Sequence, residues 1–323
     1  MGEPTKAGTL NRIVGIVLVK DEDHFVSWAI ENVAEFCDEI LVLDNHSSDG
    51  TPAQLAGLAE RFPHVRVETI DDPNRSHRYI EEYAGTPTWV FGVDGDEIYD
   101  PEGLARFRPR VVKGEFDSYW KIGGHMLNPV QVDLKKRTAT GYATPSTPSV
   151  TKLYNFGALE FWVEPARQRL HGDSMDFRPG WSERKILKLY RDETWETCDF
   201  RCLHLCFFPR SSRVSASPVE RKNPSQVKAD RPRRILERVK TFLRHPFLPD
   251  PGYKTRRYRR GPLVTRRVSA FGPPGGELLA KRGETAAARV LAGRGSTHGS
   301  RRSARPSAPP MPGSLTEPRG AQE

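Results

Sequence analysis

Between residues 12 and 100 the chain alternates short aliphatic runs with segments of helical periodicity, and this alternation limits the folds open to it. Residues 13–19 are β-branched and aliphatic with one glycine, as suits a buried strand. Asp21 or Asp23 is then placed to cap a helix whose apolar positions Val26, Ile30, Val33 and Cys37 follow helical spacing. Residues 40–43 form a second buried run, which opens into the polar loop Asp44-Asn45-His46-Ser47-Ser48-Asp49-Gly50. Thr51-Pro52 starts a further helix, with proline in the first turn where its missing N–H costs nothing. A third strand is expected over 65–70, a third helix around 79–83, and a fourth strand over 89–93 that ends at Asp94. Strands and helices in this order predict an α/β domain with a mainly parallel sheet and helices on both faces.

The rest of the chain divides by composition. Residues 101–208 are rich in Trp, Tyr and Gly, with strand-like pieces at 118–122, 150–154 and 203–208, and complete one domain over 12–208 behind a tail of 1–11. Residues 1–208 carry 24 Lys and Arg against 33 Asp and Glu; residues 209–323 carry 26 against 8. The net charge of +9 therefore hides an acidic body and a basic tail, an asymmetry that suits a polyanionic partner. Within a basic extension over 209–270, Ile235, Leu236, Val239, Phe242 and Leu243 share one helical face among Arg233, Arg234, Arg238, Lys240 and Arg244. Such a helix can lie on an anionic membrane surface or pack on the body. Residues 271–323 are polar and Gly/Pro-rich, the composition of a disordered tail. No apolar run approaches the roughly 18–20 residues of a spanning helix, and four cysteines are too few for a secreted disulfide framework in 323 residues. The expected location is cytoplasmic, with attachment at the inner face of the cell membrane open through the basic tail.

The chemistry-bearing residues lie at strand ends. Asp94-Gly95-Asp96-Glu97 follows an apolar strand, and ligands of open parallel sheets bind beyond the carboxyl ends of their strands. Paired carboxylates there can hold a hard divalent cation that keeps room for phosphate oxygens; without that context they are an ordinary acidic turn. The loop 44–51 has the short polar side chains and backbone N–H groups to hold a nucleotide, although Asn, Ser, Asp and Gly are also common turn residues.

Taken in order, Lys20-Asp21-Glu22, Leu43-Asp44-Asn45-His46-Ser47-Ser48-Asp49-Gly50-Thr51 and Trp89-Val90-Phe91-Gly92-Val93-Asp94-Gly95-Asp96-Glu97 resemble the successive motifs of family 2-like glycosyltransferases with the GT-A fold. The resemblance covers residues 12–210 and is strongest through Asp100. It implies metal-dependent transfer of a sugar, by an inverting route, from a nucleotide-sugar donor to an acceptor hydroxyl, with Mn²⁺ or Mg²⁺ as cofactor. By that likeness Asp44 contacts the base or ribose, and Asp49 shapes the same pocket. Asp94 lies nearer the ribose, Asp96 binds the metal, and His204 in Leu203-His204-Leu205 completes the metal site. Asp21 stands where these enzymes often carry Asn before the residue matching Glu22, which leaves the role of that first loop open. An inverting reaction also needs a base for the acceptor proton; Glu160 is the first candidate among Glu160, Glu164, Asp173 and Asp176. The acceptor is not legible beyond a hydroxyl, with lipid- or polymer-linked acceptors open.

Other readings compete. Three cysteines, Cys198, Cys202 and Cys206, surround His204, but the distant second Cys pair of a structural zinc site is not among them, so buried free thiols are expected. A haloacid-dehalogenase-type phosphatase also begins with Asp-x-Asp after a strand, and Gly172-Asp173-Ser174-Met175-Asp176 superficially matches its later motif. In that family the first motif lies near the N-terminus, unlike Asp94. A non-enzymatic polyanion-binding role lacks any nucleic-acid motif, so no nucleic acid is expected as partner.

Overall fold

The computed structural model describes residues 10–133, 135–147, 151–162, 170, 175–213 and 257–272. The first half runs β1 (Arg12–Val19), α1 (Val26–Ala34), β2 (Glu39–Asp44), α2 (Thr51–Arg61), β3 (Val65–Thr69), β4 (Thr88–Asp94), β5 (Glu97–Tyr99) and α3 (Pro101–Val112). There follow β6 (Lys121–Gly123), β7 (His125–Asp133), β8 (Thr138–Ala143), β9 (Lys152–Asn155), β10 (Leu159–Trp162), β11 (Met175–Phe177) and β12 (Ile186–Lys188). The short helix α4 (Leu189–Asp192), β13 (Arg201–His204) and β14 (Leu263–Arg267) come last.

The main sheet has seven strands in the order β12-β6-β9-β4-β1-β2-β3. The pairs β4–β1, β1–β2 and β2–β3 are parallel, as is β12–β6, while β9 runs antiparallel to both its neighbours. This is the mixed, mostly parallel α/β sheet that the GT-A resemblance implies. Strand alternation splits β1 between two cores. Ile13, Val17 and Val19 face one side with Val26, Ile30 and Val33 of α1, Leu55 and Leu58 of α2, and Leu104, Phe107 and Val111 of α3. Val14 and Ile16 face the other, where Ile80, Tyr83, Trp120, Phe156, Leu159 and Trp162 close over them. Both faces are covered, unequally: one by the three longer α-helices, the other by 3-10 helices and the β10–β11 hairpin.

Several local expectations change. The third helix is a pair of 3-10 turns, Pro73–Tyr79 and Glu81–Tyr83, begun by Asp72, whose side chain accepts from the Asn74 N–H. Neither Asp21 nor Asp23 caps α1; the residue there is Phe25, with no side-chain cap. Both carboxylates are taken by other backbone donors, Asp21 by the Ser48 N–H and Asp23 by those of Gly50 and Ser212. The last strand-like piece pairs only as far as His204, and Leu205 instead donates its N–H to the Asp96 carbonyl.

A second sheet, β14-β8-β7-β13-β5, stands beside the first. Its edge strand β14 comes from the basic stretch after residue 208, where the sequence suggested no strand, and pairs antiparallel with β8 from Leu263↔Tyr142 to Arg267↔Thr138. Phe271 is buried and stacks on Trp195 with ring centroids 5.6 Å apart, while its carbonyl accepts from the Trp28 indole N–H. The amphipathic segment 235–243 and residues 273–323 lie outside the described residues. Among the described residues no helix is long and apolar enough to cross a membrane.

Candidate active site

β1, β2 and β4 are parallel neighbours, so their carboxyl ends deliver Asp21 and Glu22, Asp44, and Asp94 with Asp96 to one edge of the sheet. Asp21 adopts φ 50°, a left-handed conformation in which Asp and Asn are the best-tolerated residues after glycine. Its Oδ1 accepts from the Ser48 N–H at 2.7 Å, and its own N–H donates to Ser47 Oγ at 2.8 Å. The Glu22 N–H donates to Thr51 Oγ1 at 2.8 Å. The first and second loops are therefore laced together before any ligand arrives.

In the second loop Asp44 Oδ1 accepts from both the N–H and the hydroxyl of Ser47. Asp49 accepts from the Thr51 N–H through Oδ1 and from the Ser211 hydroxyl through Oδ2, at 2.9 and 2.6 Å. Its burial favours the neutral acid, but the hydrogen bonds from Ser211, Thr51 and the Asp23 N–H outweigh this and lower its pKa. Asp49 thus joins the two loops to residues 209–213. Next to this loop, at the end of β3, a cavity of about 370 Å³ is lined by Thr69, Ile70, Asp71, Asp72, Arg75, Arg78 and Tyr79. The Ile70 N–H donates to the Asp44 carbonyl, which places this cavity beside Asp44.

At the end of β4 four acidic and two basic groups interlock. Lys152 reaches from β9 to Asp94 Oδ2 at 2.8 Å and Glu97 Oε1 at 3.1 Å. Burial pushes Glu97 up to about 7, Lys152 opposes this, and the Asp94 charge adds to the rise. Arg210, almost fully enclosed, lies 2.8 Å from Glu22 Oε1 and 3.3 Å from Asp96 Oδ2. Burial works against its charge, but Asp96, Glu22 and Asp94 more than offset that and hold its pKa above the ordinary value.

His204 reaches this cluster because β13 pairs with β5 in the register His204↔Glu97. Its Nε2 is 3.8 Å from Asp96 Oδ1, and its Nδ1 is 2.8 Å from Asn128 Oδ1. An amide oxygen only accepts, so Nδ1 donates to Asn128, and Nε2 is the nitrogen turned toward Asp96. Orienting a histidine through its other nitrogen is how metal-binding histidines are held. A 3.8 Å gap is too long for a hydrogen bond, yet both atoms can reach one cation with bonds of about 2.1 Å. Among the described residues no group of three or more His, Cys, Asp and Glu forms a complete metal cage. Asp96 and His204 could hold a cation only in an open site, with the remaining ligands supplied from outside the protein. The Tyr258 ring packs edge-on against His204 at 5.1 Å, bringing the late segment to the same place.

Of the residues singled out from the sequence, Asp21, Glu22, Asp44, Asp49, Asp94, Asp96 and His204 gather at this edge. Glu160 does not join them. It is exposed on β10 next to Leu159, whose carbonyl backs onto Gly85 ahead of β4, at the opposite end of that strand from Asp94. Asp176 is exposed on β11, paired with Phe161, and Glu164 and Asp173 lie outside the described residues. The four cysteines are free and buried, and desolvation raises the pKa of Cys37, Cys198 and Cys202, that of Cys198 to about 12, so those three thiols stay protonated. The sequence reading does not single out Lys152, Asn128 or Arg210. Lys152 carried a signal: it is a lone charge inside a strand-like run, and such a charge needs a buried partner. Asn128 and Arg210 carried none.

No protein-family model and no curated protein matches the chain. Among solved structures it is similar to glucosyl-3-phosphoglycerate synthase from Mycobacterium tuberculosis in complex with phosphoglyceric acid, with 18% identity and a TM-score of 0.27. That match covers 35% of this chain and 43% of the synthase, so it spans less than half of that protein. It is also similar to a mannosyltransferase from Pyrobaculum calidifontis in complex with GDP-Man and Mn²⁺, with 12% identity and a TM-score of 0.35, over 92% of this chain and 80% of the other. A 4-diphosphocytidyl-2C-methyl-D-erythritol synthase from Anaerococcus prevotii matches at 12% identity and a TM-score of 0.29, over 48% and 79% of the two chains. Similarity at this level assigns no chemistry to this chain, and the site residues must carry that argument.

Proposed function

We propose that the chain is a metal-assisted glycosyltransferase that moves a sugar from a nucleoside-diphosphate donor to an acceptor hydroxyl. The observation that carries this is the pair Asp96 and His204 at the carboxyl end of β4, with His204 held by Asn128 so that Nε2 faces Asp96 Oδ1. In this reading Asp96 and His204 hold a Mn²⁺ or Mg²⁺ ion, which when bound neutralises the charge developing on the departing diphosphate. Asp94, Asp44 and the cavity at the end of β3 take the ribose and base. Asp49, Asp21 and Glu22 fix the loops that shape this pocket. Lys152 keeps Asp94 and Glu97 in place and offsets part of their charge. Glu160, at the opposite end of β4, is given no step. The acceptor hydroxyl, whether on a lipid, a polymer or a small molecule, approaches from the open side of the same edge.

A donor screen tests the proposal. Sugar transfer or donor hydrolysis is followed across UDP-, GDP- and dTDP-sugars with Mn²⁺ or Mg²⁺. Turnover of one donor class that stops in excess EDTA is expected. Release of inorganic phosphate from phosphomonoesters, with phosphate trapped on Asp94, would instead establish a phosphatase.

A further inference from the structure

Residues 209–213 form a strap across the first two loops, held by His24 and by the acidic residues Asp23 and Asp49. The His24 N–H donates to the Arg210 carbonyl at 3.0 Å, and His24 Nδ1 lies 2.9 Å from the Pro209 carbonyl. The Ser211 hydroxyl donates to Asp49 Oδ2 at 2.6 Å; the Ser212 N–H donates to Asp23 Oδ1 at 2.8 Å, and its hydroxyl to Asp23 Oδ2. Between these anchors Arg210 turns inward, where its NH1 touches Glu22 and Asp96 together. The strap thus places one buried guanidinium against the carboxylate proposed to hold the cation.

A guanidinium and a divalent ion compete for the same carboxylate, while both are attracted to a diphosphate. Arginine also matches phosphate oxygens with paired N–H donors. We propose that Arg210 is a diphosphate-binding residue that rests on Asp96 and Glu22 as a counter-ion until a donor arrives, then moves its N–H donors to the donor's phosphate oxygens. This rests on the nucleotide-sugar reading above. The strap fixes the backbone at Arg210 through its neighbours, so only the side chain has to move. Asp96 is released to the cation by the same event that supplies the phosphate ligands, so cation and nucleotide bind as a unit.

The test is calorimetric titration of the full chain with Mn²⁺ alone, and with UDP, GDP and dTDP in the presence of Mn²⁺. Wild type is compared with Arg210→Gln and Arg210→Lys, and thermal melts check that each variant is folded. Arg210→Gln should bind Mn²⁺ alone several-fold more tightly, because a competitor for Asp96 is gone. It should bind the preferred diphosphate about tenfold to a hundredfold more weakly, the scale of lost charge-assisted hydrogen bonds. Arg210→Lys keeps the charge but loses the paired donors, so it should bind Mn²⁺ alone as wild type does and bind the diphosphate more weakly than wild type but more tightly than Arg210→Gln. If both variants are folded and match wild type for Mn²⁺ and for nucleotide, Arg210 is a structural cation and the inference is overturned. If the wild type itself binds no nucleoside diphosphate, it is the nucleotide-sugar reading that falls. Should Arg210→Gln not fold, the lysine variant decides: nucleotide binding equal to wild type by a folded Arg210→Lys contradicts a role for the paired N–H donors.

Discussion

Gly95 and Glu22 meet so closely that a Cβ on the glycine would overlap Glu22 Oε2. The glycine between the two aspartates is thus the point where the first loop seats on the end of β4. Gly95→Ala must push Glu22 away, and Glu22 carries Arg210 with it. Nucleoside diphosphate binding should fall by about tenfold or more, with a stability loss of about 1–3 kcal/mol from overpacking. Titration and chemical denaturation of the purified variant check both, and unchanged binding would show that the seat does not matter.

Asn128 holds His204 by its Nδ1, so Asn128→Leu should leave the imidazole free to turn or change tautomer. Losing such an orienting partner typically costs about 10–100-fold in metal affinity or activity. Mn²⁺ binding in the presence of nucleotide measures this directly. An affinity equal to wild type would mean that His204 takes no part in holding the cation.

Much of this site could be read from the sequence, for a physical reason. Parallel strands deposit their last residues at one edge, so Asp44, Asp94 and Asp96 could be grouped from strand ends alone. His204 required the likeness, because its position comes from the pairing of β13 with β5, a contact across more than a hundred residues that no local pattern records. The third helix failed because Pro73 and the Asp72 cap favour tight 3-10 turns over a regular helix. Arg210 was hidden in a stretch whose composition spoke only of basic charge. Glu160 was chosen by its place in the chain, and the hairpin then carried it to the other end of β4.

Phe271 shows that the late segment is part of the body. Its ring is buried against Trp195, the Arg201 guanidinium lies over both rings, and Trp28 binds its carbonyl. Phe271→Ala should cost about 3–5 kcal/mol, the range for emptying a buried aromatic site. Urea denaturation measures it. A loss below about 1 kcal/mol would show that residues 257–272 add little to the fold.

Asp49 links loop and strap, and its pKa is lowered in the folded chain. A lowered carboxyl contributes stability that is fully present above the ordinary Asp value of 3.8 and is lost as pH falls below it through the native value. The group is only half-buried, so solvent screens the contribution and it is small. Stability measured from pH 5 down to pH 2 should fall less steeply in Asp49→Asn than in wild type. Parallel curves would remove Asp49 as a source of acid sensitivity.

In the proposed function, Asp96 and a divalent cation together hold a nucleoside diphosphate. This is tested most directly by titrating UDP, GDP and dTDP into wild type and Asp96→Asn, each with Mn²⁺ and with EDTA. Wild type should bind one diphosphate tightly only when Mn²⁺ is present, and a folded Asp96→Asn should lose that dependence and most of the affinity. Equal binding by both proteins, or binding by wild type that EDTA leaves unchanged, would contradict the account.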